Sequence, residues 1–215
     1  MSIVDGLLGD DGASARAGRI AGVVIGLVTN NQDPEELGRV KVKFPWLSDS
    51  DEGHWARIAV PMAGNLCGFY FLPEVNDEVL VAFEQGDARF PYVVGALWNG
   101  KDKPPEKNGD GENNVRAIKS RSGHIIRLTD KDGSEKIEII DKTGKNQIVF
   151  DTKNNTITIA ADKDITLAAA NGSIKLTAQK IEIAATADTT IKAGAEMKVE
   201  ASANMTIKGA MVNIN

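Results

Sequence analysis

The sequence predicts an all-β protein in two parts: a small closed barrel, followed by an intertwined β-helix built from three copies of the chain. Three observations predict this fold. All seven prolines and nearly all aromatic residues lie in the first half of the 215-residue chain. That half contains five short strand patterns, whereas the second half repeats its apolar residues every eight positions. Such a change in composition and period indicates two architectures in one chain.

The first half predicts a barrel of five strands, at residues 19–28, 39–44, 55–60, 78–84 and 92–98. Turn-forming residues separate these strands, at 32–34, 48–51, 73–77 and 86–87. A small closed barrel suits five strands without a helix between them, because closure removes sheet edges that would otherwise associate. We therefore predict an N-terminal extension at 1–18 and a barrel domain at 19–105.

The second half predicts a repetitive segment at 151–215, in which each octad carries an apolar-x-apolar strand. Residues two apart share one face of a strand, so these apolar side chains share one face. The lattice slips by one position just after Gly172. Between barrel and repeats, a linker and neck span 106–150, with strands at 125–128, 137–140 and 148–150. The predicted core of the repeats is Ile157, Ile159, Ile165, Leu167, Ile181, Ile183, Ile191, Met197, Val199, Met205 and Ile207.

The length of the repeats predicts a homotrimer. A three-sided coil needs three octads, so one chain would make fewer than about three coils, too few for a stable repeat stack. If three chains each supply one side, the same segment makes about eight coils and its apolar side chains meet on a threefold axis.

Composition limits the function classes. The net charge of -5 disfavours nucleic-acid binding, because phosphate contacts supply most of that affinity. The single cysteine, Cys67, is expected to be a small buried apolar residue. Residues 1–12 carry no Lys or Arg and do not resemble a secretory signal, so we expect assembly in the cytoplasm.

The chain offers little that could perform chemistry. The two histidines, His54 and His124, are expected to lie at the surface or in turns, and no phosphate-binding loop motif occurs. We therefore expect no enzymatic activity and no catalytic, cofactor-binding or metal-binding residues.

Several segments together resemble the phage baseplate assembly protein V / VgrG-type central spike family. The resemblance is carried by residues 22–28, 38–47, 71–75, 77–83, 91–98 and 120–124, in that order. It implies an OB-fold base, a trimeric β-helix needle and a place at the centre of a contractile injection system baseplate. The linker is too short for the lysozyme domain of some phage spikes, and no histidine follows residue 124 to form the iron-binding tip of others.

The resemblance also implies partners. Only residues 1–18 precede the barrel, so a separate hub protein is expected at the OB end. A PAAR-type tip protein is expected at the C-terminal end, because a β-helix that stops there leaves backbone groups and apolar side chains open. The target-cell membrane would be a transient partner, and the finished protein part of a virion, tailocin or other extracellular particle. The expected tip contacts are Met211, Val212, Asn213, Ile214 and Asn215.

Two alternatives remain open at this point. One is a trimeric fibre or adhesin that binds a cell surface. The other is an OB-fold protein that binds single-stranded nucleic acid through aromatic side chains and a basic groove. We interpret the aromatic residues instead as barrel core and trimer contacts, and Arg39, Lys41 and Lys43 as one solvated strand face. These aromatic residues are Trp46, Trp55, Phe69, Tyr70 and Phe71.

Overall fold

The computed structural model describes residues 19–47 and 52–214. The N-terminal extension at 1–18, the predicted turn at 48–51 and the terminal tip residue Asn215 lie outside the described residues. The described residues form an all-β protein, and they fall into two units, one that ends at Asp162 and one that begins at Lys163.

The first unit begins with a closed barrel of five strands, as predicted. The strand order around the barrel is β1-β2-β3-β7-β6, in which β3 and β7 pair in parallel and the other neighbours are antiparallel. A short hairpin of β4 and β5 lies between β3 and β6 in the chain. The strands are β1 Val23–Asn30, β2 Val40–Lys43, β3 Glu52–Ile58, β4 Ala63–Gly64, β5 Cys67–Gly68, β6 Glu78–Phe83 and β7 Pro91–Ala96.

Inward-pointing and outward-pointing residues alternate along the strands, and the inward-pointing ones form the barrel core. In β6, for example, Val79, Val81 and Phe83 point inward while the residues between them are partly exposed. Phe83 packs against Phe44 with ring centroids 5.4 Å apart. The interior of so small a barrel is narrow, and valines fill most of it. The buried core consists of Val28, Val40, Val42, Phe44, Ala56, Val79, Val81, Phe83 and Val93.

Two sequence-based expectations of burial in the barrel were wrong, whereas the interpretation of the aromatic residues as trimer contacts stays a prediction. Trp46, Phe69, Tyr70 and Phe71 are all at least half exposed and do not belong to the core. Cys67 is exposed in the β4–β5 hairpin. The physical reason is the same for both: inward positions of the five barrel strands fill the interior, and these residues lie in connecting segments outside those strands.

A second, five-stranded sheet follows the barrel within the first unit. It is an antiparallel meander in the order β12-β11-β10-β9-β8. It contains the three neck strands and adds one strand at each edge, so it continues past residue 150 and takes in the first octad. We call it the neck sheet. Its strands are β8 Val115–Lys119, β9 Ile125–Thr129, β10 Lys136–Ile140, β11 Gln147–Asp151 and β12 Thr156–Ala160.

The second unit, residues 163–214, holds the remaining octads. No strand pairing is formed within these described residues, and their side chains are exposed. We call it the octad segment.

Among residues 19–47 and 52–214, no helix has the length and apolar character needed to cross a membrane.

Candidate assembly surfaces

One side of the barrel exterior, formed by β2, β3 and β7, combines aromatic rings with cations. Lys41 lies opposite Trp55 across the β2–β3 ladder, with its ammonium 5.6 Å from the ring centroid. Arg57 lies opposite Tyr92 across the parallel β3–β7 pair, with its guanidinium 5.6 Å from the ring. Such contacts hold the rings in place and cover part of their faces.

Carboxylates lie beside two of the cations in this region. Lys41 Nζ lies 3.1 Å from Glu52 Oε2. In the turn before β7, Arg89 forms an ion pair with Asp87 at 2.6 Å and holds the pKa of that carboxyl at about 2. A surface with this local charge balance lacks the continuous positive potential that tracks a nucleic-acid backbone.

The loop between β1 and β2 is fixed by one carboxylate. The side chain of Asp33 is only 3% exposed and accepts two hydrogen bonds from the Arg39 guanidinium, at 2.8 and 2.9 Å. It also accepts the backbone N–H groups of Glu35, Leu37 and Arg39 at 3.1–3.2 Å. The Arg39 hydrogen bonds, supported by these backbone donors, hold the pKa of Asp33 well below its usual range.

The β4–β5 hairpin forms an apolar surface beside this loop. The tip residue Leu66 is fully exposed and has a left-handed backbone conformation, with φ of 56°. A branched apolar residue in that conformation is strained, and strain of this kind is concentrated at functional positions. With the neighbouring loop the hairpin lines a groove of about 610 Å³, and the side chains of Met62, Phe69, Tyr70 and Phe71 add exposed apolar area around it. We call this the hairpin surface.

The neck sheet has two unlike faces. On one face, the pairing register places five isoleucines in one row that crosses all five strands. A second row beside it is apolar except for Arg116 at the edge. The first row is Ile118, Ile126, Ile139, Ile148 and Ile159; the second is Arg116, Leu128, Ile137, Phe150 and Ile157. We call this the isoleucine face.

The opposite face of the neck sheet mixes polar and apolar side chains and is partly covered. At its centre Arg127 forms ion pairs with Glu138 at 3.6 Å and with Glu106 of the linker at 2.8 Å. The turn between β8 and β9 also contacts the barrel, since Arg121 lies 2.9 Å from Glu74. The linker thus contacts the face that carries the Arg127–Glu138 ion pair.

The octad segment displays its predicted core residues on the surface of the single chain. Ile183, Ile191, Val199 and Ile207 are each more than two-thirds exposed. Apart from Ile157 and Ile159, which lie in β12, all the predicted core residues lie in this segment. The structure of one chain therefore brings Ile157 and Ile159 together with the neck rows, and leaves the other core residues about half exposed or more.

Two ion pairs reveal the local backbone geometry of the octad segment. Lys180 lies 2.6 Å from Glu182, and Lys198 lies 2.6 Å from Glu200. In an extended backbone, side chains two residues apart point to the same side and can form such pairs. In that conformation Ile181 and Val199, the residues between the paired charges, point to the other side, which is the arrangement that the octad pattern predicts.

The predicted tip residues within the described range are also exposed. Met211 is 80% and Ile214 is 87% exposed, and Val212 is about half exposed. Asn213 lies between them, also exposed. The structure thus presents an apolar group at this end of the described chain.

Sequence reasoning missed the hairpin surface and the isoleucine face. The exposed tip Leu66 carried no sequence signal, because its backbone conformation is visible only in the structure. The isoleucine face did carry a signal: Ile118 and Ile126 repeat the alternation of the neck strands, and pairing the strands as a meander would have aligned them. The histidines lie at the surface as predicted, His54 in β3 and His124 in the turn before β9.

Comparison with known proteins identifies the barrel. Residues 24–98 match the type VI secretion system/phage-baseplate injector OB domain. Residues 24–98 are therefore an OB domain of the kind found in phage-baseplate and VgrG-type spike proteins. The match covers the closed barrel and the hairpin surface, so both lie within the OB domain of the family.

Relatives of this family align beyond the OB domain. The type VI secretion system spike protein VgrG1b of Pseudomonas aeruginosa is 27% identical over 156 residues, which cover 67% of this chain and 21% of the relative. VgrG1a of the same organism is 27% identical over 138 residues, or 59% of this chain and 22% of the relative. The actin cross-linking toxin VgrG1 of Vibrio cholerae is 30% identical over 118 residues, or 53% of this chain and 10% of the relative. The chain thus spans about a fifth or less of the length of these VgrG-type spike proteins.

Proposed function

We propose that this protein is the non-enzymatic, homotrimeric central spike of a contractile injection system, in a phage tail, a tailocin or a related particle. One observation carries the proposal: an injector OB domain is followed, in the same chain, by an extended segment whose apolar octads are exposed. The spike would pierce the target membrane and join a hub protein at the barrel to a tip protein at the other end.

The backbone of the octad segment supports association with other chains. Within residues 163–214 one backbone hydrogen bond is formed, from the N–H of Gly172 to the carbonyl of Ala169 at 3.4 Å. Backbone donors and acceptors that become buried need partners, and in an extended segment those partners come from neighbouring strands. Two further copies of the same segment supply such strands and would enclose the exposed apolar side chains between them.

The oligomeric state is the first test. Sedimentation equilibrium of the full chain should give a mass of three chains, with no monomer at micromolar concentration. The reason is that the octad segment has its apolar side chains and backbone groups satisfied only in the trimer. A folded monomer at that concentration would contradict the proposal.

The partners at the two ends are assigned to different surfaces. The hairpin surface, with Leu66 at its tip, is proposed to contact the hub, because it is the strained and exposed apolar part of the OB domain. Residues 211–215 are proposed to contact a PAAR-type tip protein through backbone pairing and their apolar side chains. The exposure of Met211 and Ile214 supports the second assignment.

A crossed pull-down separates these two contacts. Deletion of residues 209–215 should abolish capture of a PAAR-type protein encoded nearby, while capture of the hub protein and the trimer mass stay unchanged. Leu66→Asp should have the converse effect, because it places a charge on the hairpin surface and leaves the C-terminal residues intact. If either variant abolished both interactions, or neither, the assignment of partners to ends would be wrong.

Membrane piercing and the absence of catalysis can be tested on the particle. Particles assembled with the spike removed should fail to inject, whereas His54→Ala and His124→Ala should leave injection unchanged. Purified protein should not cleave peptidoglycan, polysaccharide or nucleic acid. Turnover that disappeared in either histidine variant would overturn the non-enzymatic assignment. We propose assembly in the cytoplasm, followed by incorporation into a virion or extracellular particle.

Nucleic-acid binding is the second candidate, because Trp55 and Tyr92 lie among cations on the exterior of an OB barrel. The pairing of Lys41 with Glu52 favours a protein contact instead. Filter binding with single-stranded DNA at low salt decides between the two. Retention at micromolar protein that was lost in Trp55→Ala would favour nucleic acid.

A further inference from the structure

We propose that a groove along β3 and β7, on the exterior of the barrel, binds residues 1–18 of the same chain through ion pairs between aspartates of that segment and arginines of the groove. We call it the arginine groove. Residues 1–18 lie outside the described residues, and the proposed function assigns them no partner. The inference gives them a contact that does not depend on the trimer.

The arginine groove combines positive charge with aromatic walls. It encloses about 630 Å³, a volume in the range of sites that hold a small ligand or a short stretch of peptide. Among the described residues, its lining includes three arginines, Arg39, Arg57 and Arg89, and no carboxylate. Aromatic side chains such as Trp55 and Phe90 form its walls. The groove therefore suits an occupant that carries both carboxylates and apolar side chains.

Arg57 is the cation of the groove whose charge no carboxylate meets. It is exposed on β3 with its guanidinium 5.6 Å from the ring of Tyr92, and it forms no ion pair with the residues that the structure describes. The hydroxyl of Tyr92 donates to Glu84 at 2.6 Å. Arg39 and Arg89 each pair with a carboxylate beside the groove. One guanidinium without such a pair suits a single carboxylate, which it can bind through two parallel hydrogen bonds, better than a polyanion.

Residues 1–18 carry the complementary chemistry. They contain three aspartates, Asp5, Asp10 and Asp11, and one arginine. Four apolar residues stand at positions 3, 4, 7 and 8, directly before these aspartates or between them. Docking would place the apolar side chains against the ring of Phe90, which is 52% exposed, and bring carboxylates to the guanidinium groups.

The described chain enters the barrel beside the arginine groove. The N–H of Ile20 donates to the carbonyl of Gly86 at 2.9 Å, and a methyl group at Gly86 would lie 3.1 Å from the Cβ of Arg19. Gly86 lies three residues before Arg89 in the turn that leads into β7. Eight residues separate Asp11 from Arg19, a reach of about 26 Å in an extended chain. The aspartates can therefore reach the groove of their own chain, at the high effective concentration that a short covalent connection provides.

Disulfide trapping in the full chain tests the contact. Cys67→Ser removes the native thiol, and Gly9→Cys together with His54→Cys places one thiol beside the aspartates and one in the arginine groove. His54 is exposed, so the substitution leaves the barrel core intact. We expect mild oxidation to form a disulfide within one chain, and non-reducing electrophoresis to distinguish it from a disulfide between chains.

Charge reversal separates docking from mere proximity of the two thiols. Arg57→Glu alone should slow formation of the disulfide at least about tenfold, because like charges then face each other. Asp10→Lys with Asp11→Lys should slow it by a similar factor. Combining the reversals on both sides should restore the rate, since opposite charges are again paired. Lys131→Glu, in the exposed turn between β9 and β10, is the matched control and should leave the rate unchanged.

Three outcomes would overturn the proposal. A rate that is the same with and without the reversals would show that no ion pair guides the segment. Failure of the combined variant to recover would show that the aspartates and Arg57 are not partners. A disulfide between chains would assign the groove to the segment of a second copy. Arg57→Gln removes the charge without reversing it, so a smaller slowing with an unchanged barrel melting transition separates loss of the ion pair from misfolding.

Discussion

The barrel and the octad segment share one sequence pattern, the alternation of apolar and polar residues, but they differ in whether the apolar face is buried within the chain. In the barrel, Val79 and Val81 are fully buried and their strand pairs with neighbours of the same chain. In the octad segment, Ile183 and Ile191 follow the same alternation and are about 70% exposed. Alternation therefore determines which side chains share a face of a strand. Whether one chain can bury that face depends on whether the strands that would cover it belong to the same chain.

The largest effect is expected from charge in the octad segment. Ile183→Asp and Ile191→Asp should each prevent assembly of that segment, because three unpaired carboxylates would meet on one coil at a cost of several kcal/mol per ion. Loss of protease resistance of residues 163–215, with the barrel still intact, is the measurement. Lys198→Asp is the matched control, and it should be nearly silent because Lys198 lies on the outward side. Equal protease sensitivity in both kinds of variant would contradict the division into inner and outer faces.

A smaller effect is expected from overfilling the barrel. A methyl group added at Gly26 would overlap the side chain of Val42 and approach Phe44 within 3.2 Å. Gly26→Ala should therefore lower the free energy of unfolding of the barrel by about 1–3 kcal/mol.

Gly95→Ala is the control for overfilling, because a methyl group there meets no atom within 4 Å. Urea unfolding followed by tryptophan fluorescence measures the difference, since the tryptophans all lie in the barrel region. If both glycine variants lost the same stability, the packing of the barrel interior would not be the cause.

The next effect in size, which depends on pH, is expected at the β1–β2 loop. Since the pKa of Asp33 is lowered in the folded protein, its stabilising contribution is present above the unfolded pKa of about 4 and is lost as the pH falls below that value. Asp33→Asn should lower the melting temperature at pH 7 and flatten its decline in acid. Glu35→Gln removes an exposed partner of the same Arg39 and should change the melting curve less. A larger effect of Glu35→Gln would show that Asp33 does not fix this loop.

The smallest effect is expected at the tip of the hairpin. Leu66→Gly relieves the left-handed backbone conformation and should raise the free energy of unfolding of the barrel by about 0.5 kcal/mol. The same change removes the exposed apolar side chain and should weaken capture of the hub protein. Leu66→Ala keeps the Cβ strain and removes the rest of the side chain, so it should weaken capture without the gain in stability. If Leu66→Gly lowered the free energy of unfolding instead, the backbone at Leu66 would not be strained.

The sequence predicts what depends on local alternation. All five barrel strands and the three central neck strands follow from residues such as Val40 and Val42, which alternate with lysines. The parallel pairing of β3 with β7 does not follow, because it joins strands that are distant in the chain. The edge strand β8 was missed for a related reason: its pattern is short, and the pairing with β9 defines it. The strand at β12 was predicted as that of the first octad, but not its pairing with the neck strand β11.

The errors at Cys67 and the exposed aromatic residues have a physical origin as well. Large apolar side chains are usually buried, but the interior of a five-stranded barrel is filled by nine residues, most of them valines. The remaining aromatic residues therefore lie outside it. For the octad segment, the structure of one chain displays the predicted faces without burying them, and we propose that the covering strands belong to other copies.

The turn at Ala169 and Gly172 has a consequence for how identical repeats find their alignment. A uniform eight-residue repeat cannot distinguish one octad from the next, so chains displaced by eight residues would match almost as well as aligned ones. The turn falls where the lattice slips by one position. In a displaced chain it would face regular strands of its neighbours and interrupt their ladders. In the proposed trimer, the irregular octad would fix the register of the strands, because the irregular octads of three chains coincide only in the correct alignment.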